Sequence, residues 1–110
     1  MRTPNADHAI VDDEKILDYL LATAHPVGGS KAIFFRSIGF NERNIKLFRV
    51  QLLKIVKTCT VQEVKISPYG VKYIVDGVIE SPTDQKIQVR TIWIIEEGKN
   101  IARLVTAHPI

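Results

Sequence analysis

Apolar residues recur at helical spacing in the first half of the chain and alternate in the second, with the change at Cys59. Ile16, Leu17, Leu20 and Leu21 share one helical face and predict a first helix over about residues 13–23. Asp12 is placed to cap it, with Asp13 and Glu14 in the first turn, and Val11 and Ile16 stand where a hydrophobic staple would pair them. Pro26 steers His25 out of helical geometry and ends this element. A second, short helix is predicted over Ser30–Ile38, closed by Gly39 in a left-handed conformation and by Phe40 just beyond it. Asn41 is the candidate cap of a third helix over about Glu42–Thr58. Its stripe is Ile45, Phe48, Leu52, Ile55 and Val56, and Arg43, Lys46, Arg49, Lys54 and Lys57 fall elsewhere. Those five cations read as a solvated face or, alternatively, as a face turned to RNA.

Beyond Cys59 the period is two. Val64 and Ile66 alternate, and Ser67-Pro68-Tyr69-Gly70 is a turn with proline at its second position. Val71, Tyr73, Val75 and Ile79 alternate through a second strand, and Ser81-Pro82-Thr83-Asp84 makes the next turn. Lys86–Glu96 carries Ile87, Val89, Thr91, Trp93 and Ile95 on one face, with Ile92 and Ile94 on the other, as in a central strand. Gly98-Lys99 turns the chain into a last strand over about residues 101–107. The expected fold is α+β: three N-terminal helices packed on one face of a four-stranded antiparallel sheet. Residues 1–9 read as a flexible lead-in and residues 10–110 as a single domain.

A two-residue turn at Gly98-Lys99 sets Trp93 opposite Leu104, Thr91 opposite Thr106 and Val89 opposite His108. Thr91, Thr106 and His108 would then share one face, with Arg90 and Arg103 on the other. A three-residue turn would instead put Arg90 beside Thr106.

Composition narrows the classes. The chain has 110 residues, 45% hydrophobic and 25% charged, as expected for an ordinary globular domain. A single cysteine excludes an internal disulfide and fits a reducing compartment, so a cytoplasmic location is expected. No apolar run approaches the roughly 20 residues of a membrane helix, and the first residues lack a signal peptide's apolar core. A net charge of +3 permits an anionic partner without a basic arm to demand one.

The densest chemistry lies in His25-Pro26-Val27-Gly28-Gly29-Ser30-Lys31-Ala32-Ile33-Phe34-Phe35. Ser30 suits an N-cap, which makes Lys31 the first helical residue. The helix dipole disfavours a cation there, so Lys31 among unpaired amides after two glycines reads as half of an anion site. The plainer reading is a tight interhelical turn with Lys31 in solvent. A Walker A loop is excluded, because a helix and not a strand precedes the glycines. His8, His25 and His108 lie far apart and no Cys-x-x-Cys pair occurs, so no metal or cofactor is expected. Nothing marks Cys59 as a nucleophile, and no Gly-x-Ser-x-Gly elbow is present.

Ile16-Leu17-Asp18-Tyr19-Leu20-Leu21, His25–Ala32, Arg90-Thr91-Ile92-Trp93 and Arg103-Leu104-Val105-Thr106-Ala107-His108-Pro109 resemble a bacterial family of small proteins known only as a domain of unknown function. That resemblance spans about residues 13–109. More loosely, the order of elements resembles the barnase, EndoU, colicin and RelE superfamily of ribonuclease toxins. In those folds a His or Lys from the helical part faces Arg, Ser or Thr from the strands.

The toxin resemblance implies metal-free RNA cleavage, in which the 2′-hydroxyl is the nucleophile. His25 or His108 would move protons, Lys31, Arg90 and Arg103 would hold the phosphate, and Thr91 and Thr106 would position it. Tyr69 or Trp93 would stack a base, although the apolar face of Trp93 also reads as core. The implied partners are RNA and a neutralising protein, with no membrane. A second reading is a non-catalytic interaction module of antitoxin, immunity or adaptor type, which would scatter those side chains and expose an apolar patch or strand edge.

Overall fold

The computed structural model describes residues 1–24, 26 and 29–110. A helical half precedes four strands. α1 (Asp13–Lys15) continues directly into a π-helical turn (Ile16–Leu20), and α2 (Gly29–Ser37) and α3 (Ile45–Thr58) follow. β1 (Val61–Ser67), β2 (Gly70–Glu80), β3 (Lys86–Glu96) and β4 (Arg103–Pro109) form one antiparallel sheet in the order β1-β2-β3-β4. The fold is α+β, built of helices and a four-stranded antiparallel sheet.

The first helix is shorter than its apolar spacing predicts. Leu21 N donates to Ile16 O at 2.8 Å, the i→i+5 bond of a π turn, and no side chain of Asp12 caps the start. Ile16, Leu20 and Leu21 are nevertheless fully buried, because a widened turn still keeps them on one face. α2 ends as its sequence requires. Phe40 N donates to Phe35 O at 3.1 Å and Gly39 N to Arg36 O at 3.0 Å, the paired bonds of a Schellman motif, with Gly39 at φ +105°. Asn41 forms an Asx turn, accepting from Arg43 N at 2.8 Å, and α3 starts three residues later than expected, after Asn44.

Phe48, Leu52, Ile55 and Val56 of α3 share one core with Val75 and Ile79 of β2, Val89 and Trp93 of β3, and Leu104 and Ala107 of β4. Phe40 stacks on Phe48 at 4.2 Å between ring centroids, and Phe35 tilts against it at 4.9 Å. The segment before residue 10, expected as a lead-in, carries contacts. Thr3 is buried, Met1 O accepts from Val61 N at 2.7 Å, and Ile10 bridges Arg103 in parallel.

β1 and β2 turn at Pro68-Tyr69, with Ser67 opposite Gly70. Gly70 has φ +147°, and a Cβ there would lie 2.3 Å from Ile95 O, so the turn requires glycine. Along β2 and β3 the registers are regular, with Tyr73 opposite Trp93, Val75 opposite Thr91 and Asp76 opposite Arg90.

Between β3 and β4 the expected register holds at Ile94–Arg103 and Trp93–Leu104 and then breaks. A bulge at Val105 sets Ile92 opposite Thr106, Thr91 opposite Ala107 and Arg90 opposite His108. An extra residue on one strand moves every later side chain to the other face. Arg90, Arg103, Thr106 and His108 therefore share a face, and Thr91 lies on the opposite one. Neither register expected from the turn produces this grouping.

Candidate functional site

The face shared by Arg90, Thr106 and His108 carries a polar row across three strands. Asp76 of β2 binds Arg90 of β3 through two bonds, Nε to Oδ1 at 2.8 Å and Nη2 to Oδ2 at 2.9 Å. This fork-to-fork geometry orients the guanidinium. The Arg90 hydrogen bond, aided by the positive charges of Arg90 and His108, holds the Asp76 carboxyl below its ordinary value despite partial burial. His108 stands directly across from Arg90 on β4, half-buried, with Nδ1 3.1 Å from the Pro109 carbonyl oxygen. Thr106 follows about 7 Å along the strand, on the same side.

At Thr106 the helical half meets the sheet. Lys31, from the first turns of α2, donates to Thr106 Oγ1 at 3.3 Å and to Tyr19 Oη at 3.5 Å. Thr106 Oγ1 donates to Tyr19 Oη at 3.4 Å. That hydrogen bond lowers the Tyr19 phenol from its ordinary value. Burial opposes the shift, and the hydrogen bond and charge of Lys31 and the charge of Lys15 reinforce it. Both ammonium groups lie over the tyrosine ring, at 5.0 Å for Lys15 and 5.8 Å for Lys31. Tyr19 sits on the π turn, which aims its ring toward β4.

Tyr19 escapes sequence reasoning because it lies in a segment read as an ordinary amphipathic helix, where it resembles a boundary aromatic. A π turn is a frequent mark of functional positions, but no residue pattern in Ile16–Leu20 announces one.

Among the expected site residues, Lys31 and Thr106 touch, and Arg90 and His108 are register partners. Lys31 is half-buried and hydrogen-bonded, which replaces the expectation of a solvent-directed lysine. Thr91 is corrected. It is fully buried on the core side, donates to Val75 O at 2.7 Å and accepts from Trp93 Nε1 at 2.7 Å, so its hydroxyl is committed to structure. Trp93 is likewise core and offers no stacking platform, whereas Tyr69 is exposed.

Arg103 shares the face but pairs with Ile94, about 13 Å along the strand from the Arg90 row. Its guanidinium binds Glu96 at 2.9 Å and Asp12 at 3.3 Å, away from Thr106 and His108. His25 and the expected glycine turn at Gly28 lie outside the described residues. Among the described residues no cluster of His, Cys, Asp or Glu could hold a metal ion, and no helix is long and apolar enough to cross a membrane.

The fold is shared with a chain of the contact-dependent growth inhibition toxin–immunity protein complex from Klebsiella pneumoniae 342. The TM-score is 0.77 at 15% identity, covering 94% of this chain and 95% of that one. No curated protein matches the sequence. By sequence the chain belongs to the family described as domain of unknown function (DUF6883), whose model spans residues 2–110.

Proposed function

We propose that this chain is a metal-independent ribonuclease toxin that cleaves RNA by attack of the 2′-hydroxyl on the adjacent phosphodiester. In that reaction a base removes the 2′-proton, the oxygen bonds to phosphorus, and an acid protonates the departing 5′-oxygen, leaving a 2′,3′-cyclic phosphate. The single observation that carries the reading is the Val105 bulge, which sets His108 opposite Arg90 and puts Thr106, to which Lys31 donates, on the same face.

His108 and His25 are the proton-transfer pair. His25 lies in the segment joining the turn that bears Tyr19 to the helix that bears Lys31. Lys31 and Arg90 stabilise the charge that develops on the phosphorane, with Asp76 orienting Arg90. Thr106 donates to a phosphate oxygen once substrate displaces its bond to Tyr19, and Tyr69 is an exposed candidate for base stacking. Arg103 serves the periphery, steering the anionic substrate while bound to Glu96.

The reading takes the helices to cover the Trp93 face of the sheet and to meet the Arg90 face only at Thr106 on the edge strand β4, leaving the rest of that face for RNA. Its setting is the cytoplasm of a target cell, with a neutralising protein as natural partner. The likeness to a chain of a toxin–immunity complex supports a partner of that kind.

That likeness also favours a second reading, a non-catalytic immunity-type module. The edge strand β1 supports it, since Ile66 is 84% exposed and Tyr69 in the following turn 79%. One experiment separates the two. Purified protein incubated with total RNA and transfer RNA in excess chelator should produce fragments ending in cyclic phosphate, and induced expression should slow bacterial growth. RNA left intact at high protein concentration, with normal growth, selects the interaction module.

A further inference from the structure

We propose that the outward face of α3 is a docking surface for an acidic protein segment that presents an apolar helical ridge. The inference goes beyond the ribonuclease reading and stands whether or not the chain cuts RNA.

α3 contains no acidic residue, and its buried stripe of Phe48, Leu52, Ile55 and Val56 fixes what faces outward. Opposite that stripe run Lys46, Leu47, Val50, Lys54 and Lys57, on one face of the helix over about 17 Å, with Arg43 in the turn just before it. Val50 is 58% exposed and Leu47 38%, with Leu53 half-buried beside them. The cations flank this apolar centre at both ends.

Among the described residues none of Arg43, Lys46, Lys54 and Lys57 is in an ion pair, whereas Arg36, Arg49, Arg90 and Arg103 are all paired. The three lysines on this helix face have no ion-pair partner among the described residues, and with no acidic residue on α3 itself they leave the face open to an external anion. A phosphate backbone would account for the lysines but not for two exposed branched aliphatics at the centre, which exclude water from a protein contact. Carboxylates flanking a leucine ridge answer both features, in the manner of an amphipathic helix laid along another.

The test uses the full chain, isotope-labelled, and a synthetic helical peptide with glutamates flanking a leucine ridge. Amide shifts should concentrate on residues 45–58. Val50→Asp, at an exposed position, should weaken binding at least tenfold, and so should alanines in place of the peptide leucines. Lys46→Glu with Lys54→Glu should abolish binding, and a peptide with lysines for its glutamates should restore it. Circular dichroism confirms folding, and the double lysine variant carries the test if Val50→Asp unfolds.

Several results would overturn the proposal. One is the absence of shifts on α3. Another is a single-stranded oligoribonucleotide that occupies the same amides more tightly than the peptide. A third is concentration-dependent self-association removed by Val50→Asp, which would make the occupant a second copy.

Discussion

Replacing Thr91 by Val separates structure from chemistry at a position that its residue type alone would assign to substrate binding. The hydroxyl donates to Val75 O and accepts from Trp93 Nε1, both at 2.7 Å, with all three groups among buried or sheet-bound atoms. Valine keeps the shape and removes both bonds. An orphaned buried indole N–H costs about 1–3 kcal/mol, and the lost donor to the carbonyl adds about 1 kcal/mol. The sum, about 2–4 kcal/mol, lowers Tm by about 8–16 °C for a domain near this size. Thr91→Ser retains both bonds and loses one methyl group, at a cost of about 1 kcal/mol. Urea unfolding of the three proteins gives the comparison, and the Trp93 indole proton resonance reports its bond directly. Valine costing no more than serine would refute the claim that the hydroxyl's bonds, rather than packing, hold this position.

Thr106→Val should raise the Tyr19 phenol toward its ordinary value, because it removes the leading cause of the depression; isotope-labelled tyrosine titrated by NMR reads this, and an unchanged titration contradicts the contact. Asp76 has a carboxyl lowered in the folded state, so the Asp76–Arg90 pair adds stability above the unfolded value near pH ~3.9 and loses it as pH falls through the folded value. Asp76→Asn should therefore flatten the acid limb of the stability profile, at a cost of less than about 1 kcal/mol at neutral pH for a partly exposed pair, and an unaltered acid limb would count against the pair. Gly70→Ala should cost more than about 2 kcal/mol or prevent folding, since its Cβ would strike Ile95 O; a variant as stable as the parent would dispose of the close approach.

What the sequence makes legible is whatever a local rule enforces. The Gly39-Phe40 pair specifies the Schellman ending, and Ser67-Pro68-Tyr69-Gly70 specifies the first hairpin. The alternation through Lys86–Glu96 identifies the central strand, and Ile74 on its neighbour is indeed buried on the face opposite Trp93. The residue types proposed for the site can be read from the sequence, but their grouping cannot. Arg103-Leu104-Val105-Thr106 contains no glycine or proline to mark a bulge, yet that one extra residue moves Thr106 and His108 to the face of Arg90. The π turn is hidden for a related reason, since Ile16, Leu20 and Leu21 fit either helix and only the hydrogen bonds distinguish them. Asn41 caps no helix, since its side chain accepts from Arg43 N in the preceding turn and α3 starts only after Asn44.

The central claim is that the row assembled by the bulge performs the chemistry, and the most direct test is the single-turnover rate of RNA cleavage in chelator by His108→Ala, measured beside the parent and Thr91→Ser. Loss of an acid or base lowers such rates about 10²- to 10⁴-fold. The account predicts a fall of that size for His108→Ala with its fold intact, and a rate for Thr91→Ser close to that of the parent. Cleavage by His108→Ala at the parental rate, or no cleavage by the parent itself, would contradict it.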